Sequence, residues 1–177
     1  MNVRQRKKLT SRLMASLLRD DLAAVLTSLR AGADPNAADR DGTTPLYLAS
    51  VQNTPAAVRI LLNAGADPNV ESGHGDEGTP LTGAAAWGHT DVVRELLAQD
   101  ADPNLREDHG SGLSPLDWAV RGGHSDTEAL LVAAGATCRQ QTHQRSPTAG
   151  HSRFYPLGSR RLHLPETRTS TRPPSAR

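Results

Sequence analysis

The sequence predicts an all-α solenoid of about four helix-turn-helix units, and three observations carry that reading. The hexapeptide AGADPN at 31–36 returns unchanged at 64–69 and again as QDADPN at 99–104. Thr44-Pro45-Leu46 returns as Thr79-Pro80-Leu81 and as Ser114-Pro115-Leu116, 35 residues apart each time. Hydrophobic residues make up 36% of the 177 residues but aromatics only 3%, so a core has to be built from Ala, Leu and Val, which suits short, closely packed helices. Repetition at a period of this size marks a stacked architecture, in which each unit buries its apolar face only against its neighbours.

Each unit reads as helix, turn, helix, turn. Thr44 has the hydroxyl of an N-cap, able to accept a hydrogen bond from the free N–H groups of a starting helix. Pro45 follows at the first helical position, where its missing N–H costs nothing. Leu46, Leu48 and Ala49 give the first helix its buried side. The unit then breaks at Asn53, or in later copies at Gly88-His89 and Gly123-His124. A second helix follows, with apolar residues at Val58, Leu61 and Leu62, and at Val92, Val93, Leu96 and Leu97, close to helical spacing. Gly65 stops it, since glycine takes the left-handed conformation of a helix stop without penalty. Asp100 holds that place in the third unit and is among the few other residues that tolerate it. AGADPN is thus a helix stop plus the start of an extended connector. Ser11-Arg12-Leu13 is a degraded first copy of the Thr-Pro-Leu start.

These residues resemble the ankyrin repeat. Its T-P-L-H-x-A motif has counterparts in TPLYLA at 44–49, TPLTGA at 79–84 and SPLDWA at 114–119, and AWGHTDVVRELL at 86–97 is similar to the family's second half almost throughout. The resemblance covers residues 11–137, with units near 11–43, 44–78, 79–113 and 114–137. It implies a solenoid with β-hairpin-like fingers between units. It also implies a protein-binding module; the residues offer no nucleophile constellation, so neither catalysis nor a cofactor is expected, and a monomer in the cytoplasm is the default expectation. Departures are informative. The family's His after T-P-L is Tyr47, Thr82 and Asp117 here. Unit four has Thr127 and Glu128 where unit three has Val92 and Val93, as suits a polar terminal cap.

Charge is unevenly spread. Residues 1–12 carry five basic groups and no acid, residues 13–137 a net −11, and residues 138–177 a net +7 with eight arginines. The chain therefore reads as a basic N-terminal extension at 1–10, an acidic repeat body at 11–137 and a disordered Arg/Pro-rich tail at 138–177. The tail arginines leave a nucleic-acid-associated role open as the alternative function. No apolar run approaches the ~18 residues of a membrane span. With Cys138 as its single cysteine, the chain has no intrachain disulfide framework.

Other chemistry reads poorly. Gly73–Gly78 is a literal G-x-G-x-x-G, but no strand precedes it, and Asp76 and Glu77 would repel a pyrophosphate. His74 and His109 lie 35 apart, as do His89 and His124. Equivalent positions in stacked helices are about 8–10 Å apart, whereas ligands of one metal each sit about 2 Å from it. A metal or pH-sensing role stays open only for His74 and His109. His89 and His124 are expected to satisfy local backbone.

Carried over from the family by position, a partner would meet the fingers at Arg40, Asp41, Glu71, His74, Asp76, Glu77, Glu107, Asp108 and His109. On the exposed side of the first helices it would meet Tyr47, Val51, Gln52, Thr82, Trp87, Asp117 and Arg121. Trp87 precedes the glycine break and is the expected anchor, Trp being favoured in interface hot spots. The alternative is that it lies flat on a neighbouring unit. Acidic fingers would select a basic patch on the partner. Trp118 occupies the position of Leu48 and is expected in the core.

Overall fold

The computed structural model describes residues 2–75 and 77–137. These residues form four antiparallel helix pairs: α1 (Val3–Leu18) with α2 (Leu22–Arg30), α3 (Pro45–Val51) with α4 (Pro55–Asn63), α5 (Pro80–Ala86) with α6 (Thr90–Leu97), and α7 (Pro115–Gly122) with α8 (Ser125–Ala133). Odd helices pack on one another in one row and even helices in a second. Residues at one position in successive units fill the same layer. Leu13, Leu46, Leu81 and Leu116 are all buried, as are Ser28, Leu61, Leu96 and Leu131. Each fully buried leucine is worth about 1.5–3 kcal/mol.

The helix starts follow the expected chemistry. Thr44, Thr79 and Ser114 each accept the backbone N–H three residues on, from Tyr47, Thr82 and Asp117, at 3.3, 3.2 and 3.1 Å. Pro45, Pro80 and Pro115 open the helices behind them. The first unit differs from expectation. Ser11 caps nothing; its hydroxyl bonds the Lys7 carbonyl at 2.9 Å in mid-helix. The helix starts at Val3, where Asn2 accepts Gln5 N–H and the Gln5 side chain accepts Asn2 N–H. Most of the basic segment 1–10 is thus the first half of α1.

The stops also follow expectation. Gly32, Gly65 and Gly135 have φ of 88°, 90° and 88°, and Asp100 has 60°. The rest of the hexapeptide does more than lead the chain away. Asp34, Asp67 and Asp102 each accept the N–H of the asparagine two residues on, at 2.8–2.9 Å. Each asparagine, oriented by that turn, reaches into the next unit with both ends of its amide. Asn36 donates to Gly65 O (2.9 Å) and accepts from Asp67 N (2.8 Å). Asn69 does the same with Asp100 O and Asp102 N, and Asn104 with Gly135 O and Thr137 N. The motif is both bracket and receiver, which explains why it is written at every junction.

The break histidines are a correction. His89 Nε2 lies 3.2 Å from Val51 O and His124 Nε2 3.1 Å from Ala86 O. Their partners are carbonyls near the end of the preceding unit's first helix, 38 residues back, and not local backbone. Burial lowers the His89 pKa, against the Val51 carbonyl, which raises it; the nearby His124 lowers it further.

Candidate functional site

The finger side is built from three connectors that nest on one another. The first is closed by Asp39, whose N–H bonds Thr43 O and whose carboxylate accepts the N–H groups of Asp41 and Thr43. The second is pinched by one antiparallel bridge between Ser72 and Gly78, the hairpin-like feature of this side. The third closes with Glu107 N–H on Leu113 O. Gly73 N–H bonds Gly42 O, which ties the second finger to the first, and the His74 ring lies where a Gly42 side chain would stand. The His109 ring occupies the same place over Gly75. Glu71 then grips His109 twice, accepting its backbone N–H at 3.0 Å and lying 2.9 Å from Nδ1.

Several carboxylates expected at the fingertips serve the fold instead. Glu77 is half-buried and accepts hydroxyl bonds from Thr43 and Ser72 at 2.9–3.1 Å, and Ser72 in turn accepts Thr44 N–H. Glu107 is buried and accepts Trp118 Nε1–H at 3.0 Å. Burial raises the Glu107 pKa, opposed by the bonds from Trp118 and Leu113. Asp117 completes the cap with Ser114 and pairs with Arg106 at 3.2 Å. Burial alone would raise its pKa, but the Ser114 bonds and Arg106 outweigh that and hold it low. Asp76 lies outside the described residues.

Tyr47 and Thr82 also leave the expected surface. Tyr47 is 4% exposed, and its ring lies over Gly83, where an added Cβ would come within 2.9 Å of it. Burial, then the Glu77 and Glu107 carboxylates, push its phenol pKa well above the ordinary value. Thr82 is buried with its hydroxyl on Thr79 O. The reason is geometric: a helical side chain tips back over its own N-terminal turn, and in this fold that turn sits beneath the next finger. Trp118, expected in the core, is only half-buried.

What stays outside is a shorter set. Arg40, Asp41, His74, Asp108 and His109 are exposed on the fingers. Trp87 ends α5 and is 44% exposed, and Arg121 is exposed in the last turn of α7. Gln52, at the matching end of α3, is half-buried, with its Oε1 buried and without a hydrogen-bond partner. Sequence reading passed over Val120, which is exposed although its counterparts Ser50 and Ala85 are fully buried. Aligning the units would have found it.

The family model for ankyrin repeats (3 copies) matches residues 13–107 and 73–142. The chain belongs to the ankyrin repeat family. No curated protein matches it. Ankyrin repeats are generally protein–protein interaction modules and non-enzymatic scaffolds. Among the described residues, no helix is long and apolar enough to cross a membrane, and no group of three or more His, Cys, Asp or Glu could hold a metal ion.

Proposed function

We propose that this ankyrin protein is an adaptor that captures a protein partner along the ends of α3, α5 and α7. Trp87 is the anchor, with Gln52 and Arg121 near the corresponding ends of α3 and α7, and the fingertip residues Arg40, Asp41, His74, Asp108 and His109 at the opposite, N-terminal ends of these helices extend the surface. The observation that carries this reading is the 44% exposure of Trp87 at the C-terminal end of α5, since burying exposed tryptophan at a partner is a common source of binding energy. The net −11 of residues 13–137 supports a partner with a basic patch, through steering and specificity more than affinity. With Glu77, Glu107 and Asp117 engaged in the fold, Asp41 and Asp108 supply the acidic contacts among the described finger residues. The reading takes 11–137 as the binding body, 138–177 as a tail and the cytoplasm as the site of action.

The test is capture of partners from a lysate with wild type beside Trp87→Ala, followed by affinity measurement on whatever is retained. Trp87→Ala should weaken the true partner about 30-fold, the size of a 2 kcal/mol hot spot, and raised salt should slow association. A partner whose affinity ignores both changes would place the binding surface elsewhere.

A further inference from the structure

We propose that the C-terminal end of the repeat stack is a pairing surface for a second copy of this chain. This surface is separate from the one around Trp87. Within the stack, each unit covers the end of the unit before it. Ser50 and Ala85, at one position of α3 and α5, are 0% exposed; Leu62 at the end of α4 is 8% exposed and its counterpart Leu97 is half-buried. The counterparts in the fourth unit are Val120 at 47% and Val132 at 55%. Two β-branched apolar side chains thus stand in solvent at the positions where the stack continues elsewhere, and Trp118, two residues before Val120, is half-buried.

The sequence announces no bracketed fifth unit as the cover. The last copy of the hexapeptide reads AGATCR at 134–139 and lacks the asparagine that brackets a following unit. The occupant must therefore bind the end face without that bracket. A two-fold axis parallel to the helices lays α7 of one copy on α8 of the other, antiparallel, the same pairing that α7 and α8 make within the unit. The C-terminal end of α7 and the N-terminal end of α8 are joined through Gly123 and His124, so they lie at the same end of the unit. The axis therefore sets Arg121 of each copy against Asp126 and Glu128 at the start of α8 in the other. All three charges contribute: Arg121 and Asp126 are exposed, and Glu128 is half-buried at a position where Val58 and Val93 are fully buried. A cross-unit ion pair of this kind already exists inside the stack, Arg59 to Glu95 at 3.7 Å. The interface repeats the antiparallel pairing made within a unit, with two apolar contacts and two ion pairs related by symmetry. One helix pair on each side is small against the ~1,200–2,000 Å² of a stable complex, so association is concentration-dependent.

Sedimentation of the full chain from about 5 to about 500 μM, the range of a weak interface, should show the mass rise toward a dimer. Val120→Lys with Val132→Lys should hold it at monomer mass with the Tm unchanged, since both sites are exposed. Arg121→Glu alone and Asp126→Arg alone should each lose the dimer, and mixing the two variants should restore it, because each junction then regains opposite charges. Wild type that is monomeric throughout overturns the proposal, and so does a dimer that survives both the lysine pair and the charge reversals. A monomer whose Tm falls on Val120→Lys also overturns it, showing that the face is covered from within the chain.

Discussion

The two sides of this ankyrin stack hold their units together by different chemistry. On the turn side the same neutral bracket is written three times, an asparagine amide spanning to the next unit's carbonyl and N–H. On the finger side a histidine ring stacks on a glycine at both junctions, but the carboxylate contacts differ. The first uses Glu77 against Thr43 and Ser72, with Gly73 on Gly42; the second uses Glu71 against His109. The bracket contact itself is uncharged, an amide against backbone groups. The finger joints are ionisable and individual. The lesson is that the period is set by one side and the identity by the other.

The comparison breaks most visibly at the central bracket. Asn69→Ala removes two hydrogen bonds between the second and third units. At about 1 kcal/mol each, the loss should be about 2 kcal/mol, read as a lower urea midpoint at unchanged m. Because stability in a stack is a sum of unit and junction terms, Asn104→Ala should instead fray the last unit first, with faster amide exchange in α7 and α8 than in α3. A central variant as stable as wild type would show that the layered leucines alone hold the register.

The turn side and the helix starts were largely legible in the sequence because their chemistry is local. A cap needs a hydroxyl three residues from an N–H, and a stop needs one left-handed residue, so Thr44, Thr79, Ser114, Gly65 and Asp100 announce themselves. The finger side was legible in outline only. The partners of Glu77 lie 34 residues back, at Thr43, and five back, at Ser72, and nothing near Glu77 in the chain distinguishes a stapling carboxylate from a solvated one. Tyr47, Thr82 and Asp117 were misplaced because three different polar residues at one position look like surface variation. Each in fact meets a different neighbour: Tyr47 the Gly83 backbone of the next helix pair, Thr82 its own cap residue Thr79, and Asp117 its own cap Ser114 with Arg106 of the preceding finger.

A second break concerns charge held in the finger joints. Burial raises the Glu107 pKa, so the folded state binds that proton more tightly than the unfolded chain. Its contribution to stability is fully present below the ordinary carboxylate range and is lost as pH rises through the folded value. Glu107→Gln keeps an acceptor for Trp118 Nε1 and removes the titration. It should raise the Tm at neutral pH and lose that advantage as pH falls. Asp117 runs the other way: its pKa is held low, so its contribution is present above the ordinary range and lost on acidification. A Glu107→Gln variant less stable than wild type at pH 7 would mean that the carboxylate's bonds outweigh its desolvation.

The smallest effect belongs to the outermost joint. His109 is the most exposed partner of any ion pair described here, its side chain 80% accessible, while Glu71 is 19% accessible. Exposed pairs are worth about 0–1 kcal/mol and fade with salt. His109→Ala should therefore cost less than 1 kcal/mol by that measure, because the backbone N–H of residue 109 still reaches Glu71. The difference should shrink further in high salt, and amide exchange should quicken at 108–111 while α5 and α7 are unchanged. A loss approaching that of Asn69→Ala would erase the distinction between the two sides, making the fingers as much a part of the stack's framework as the brackets opposite them.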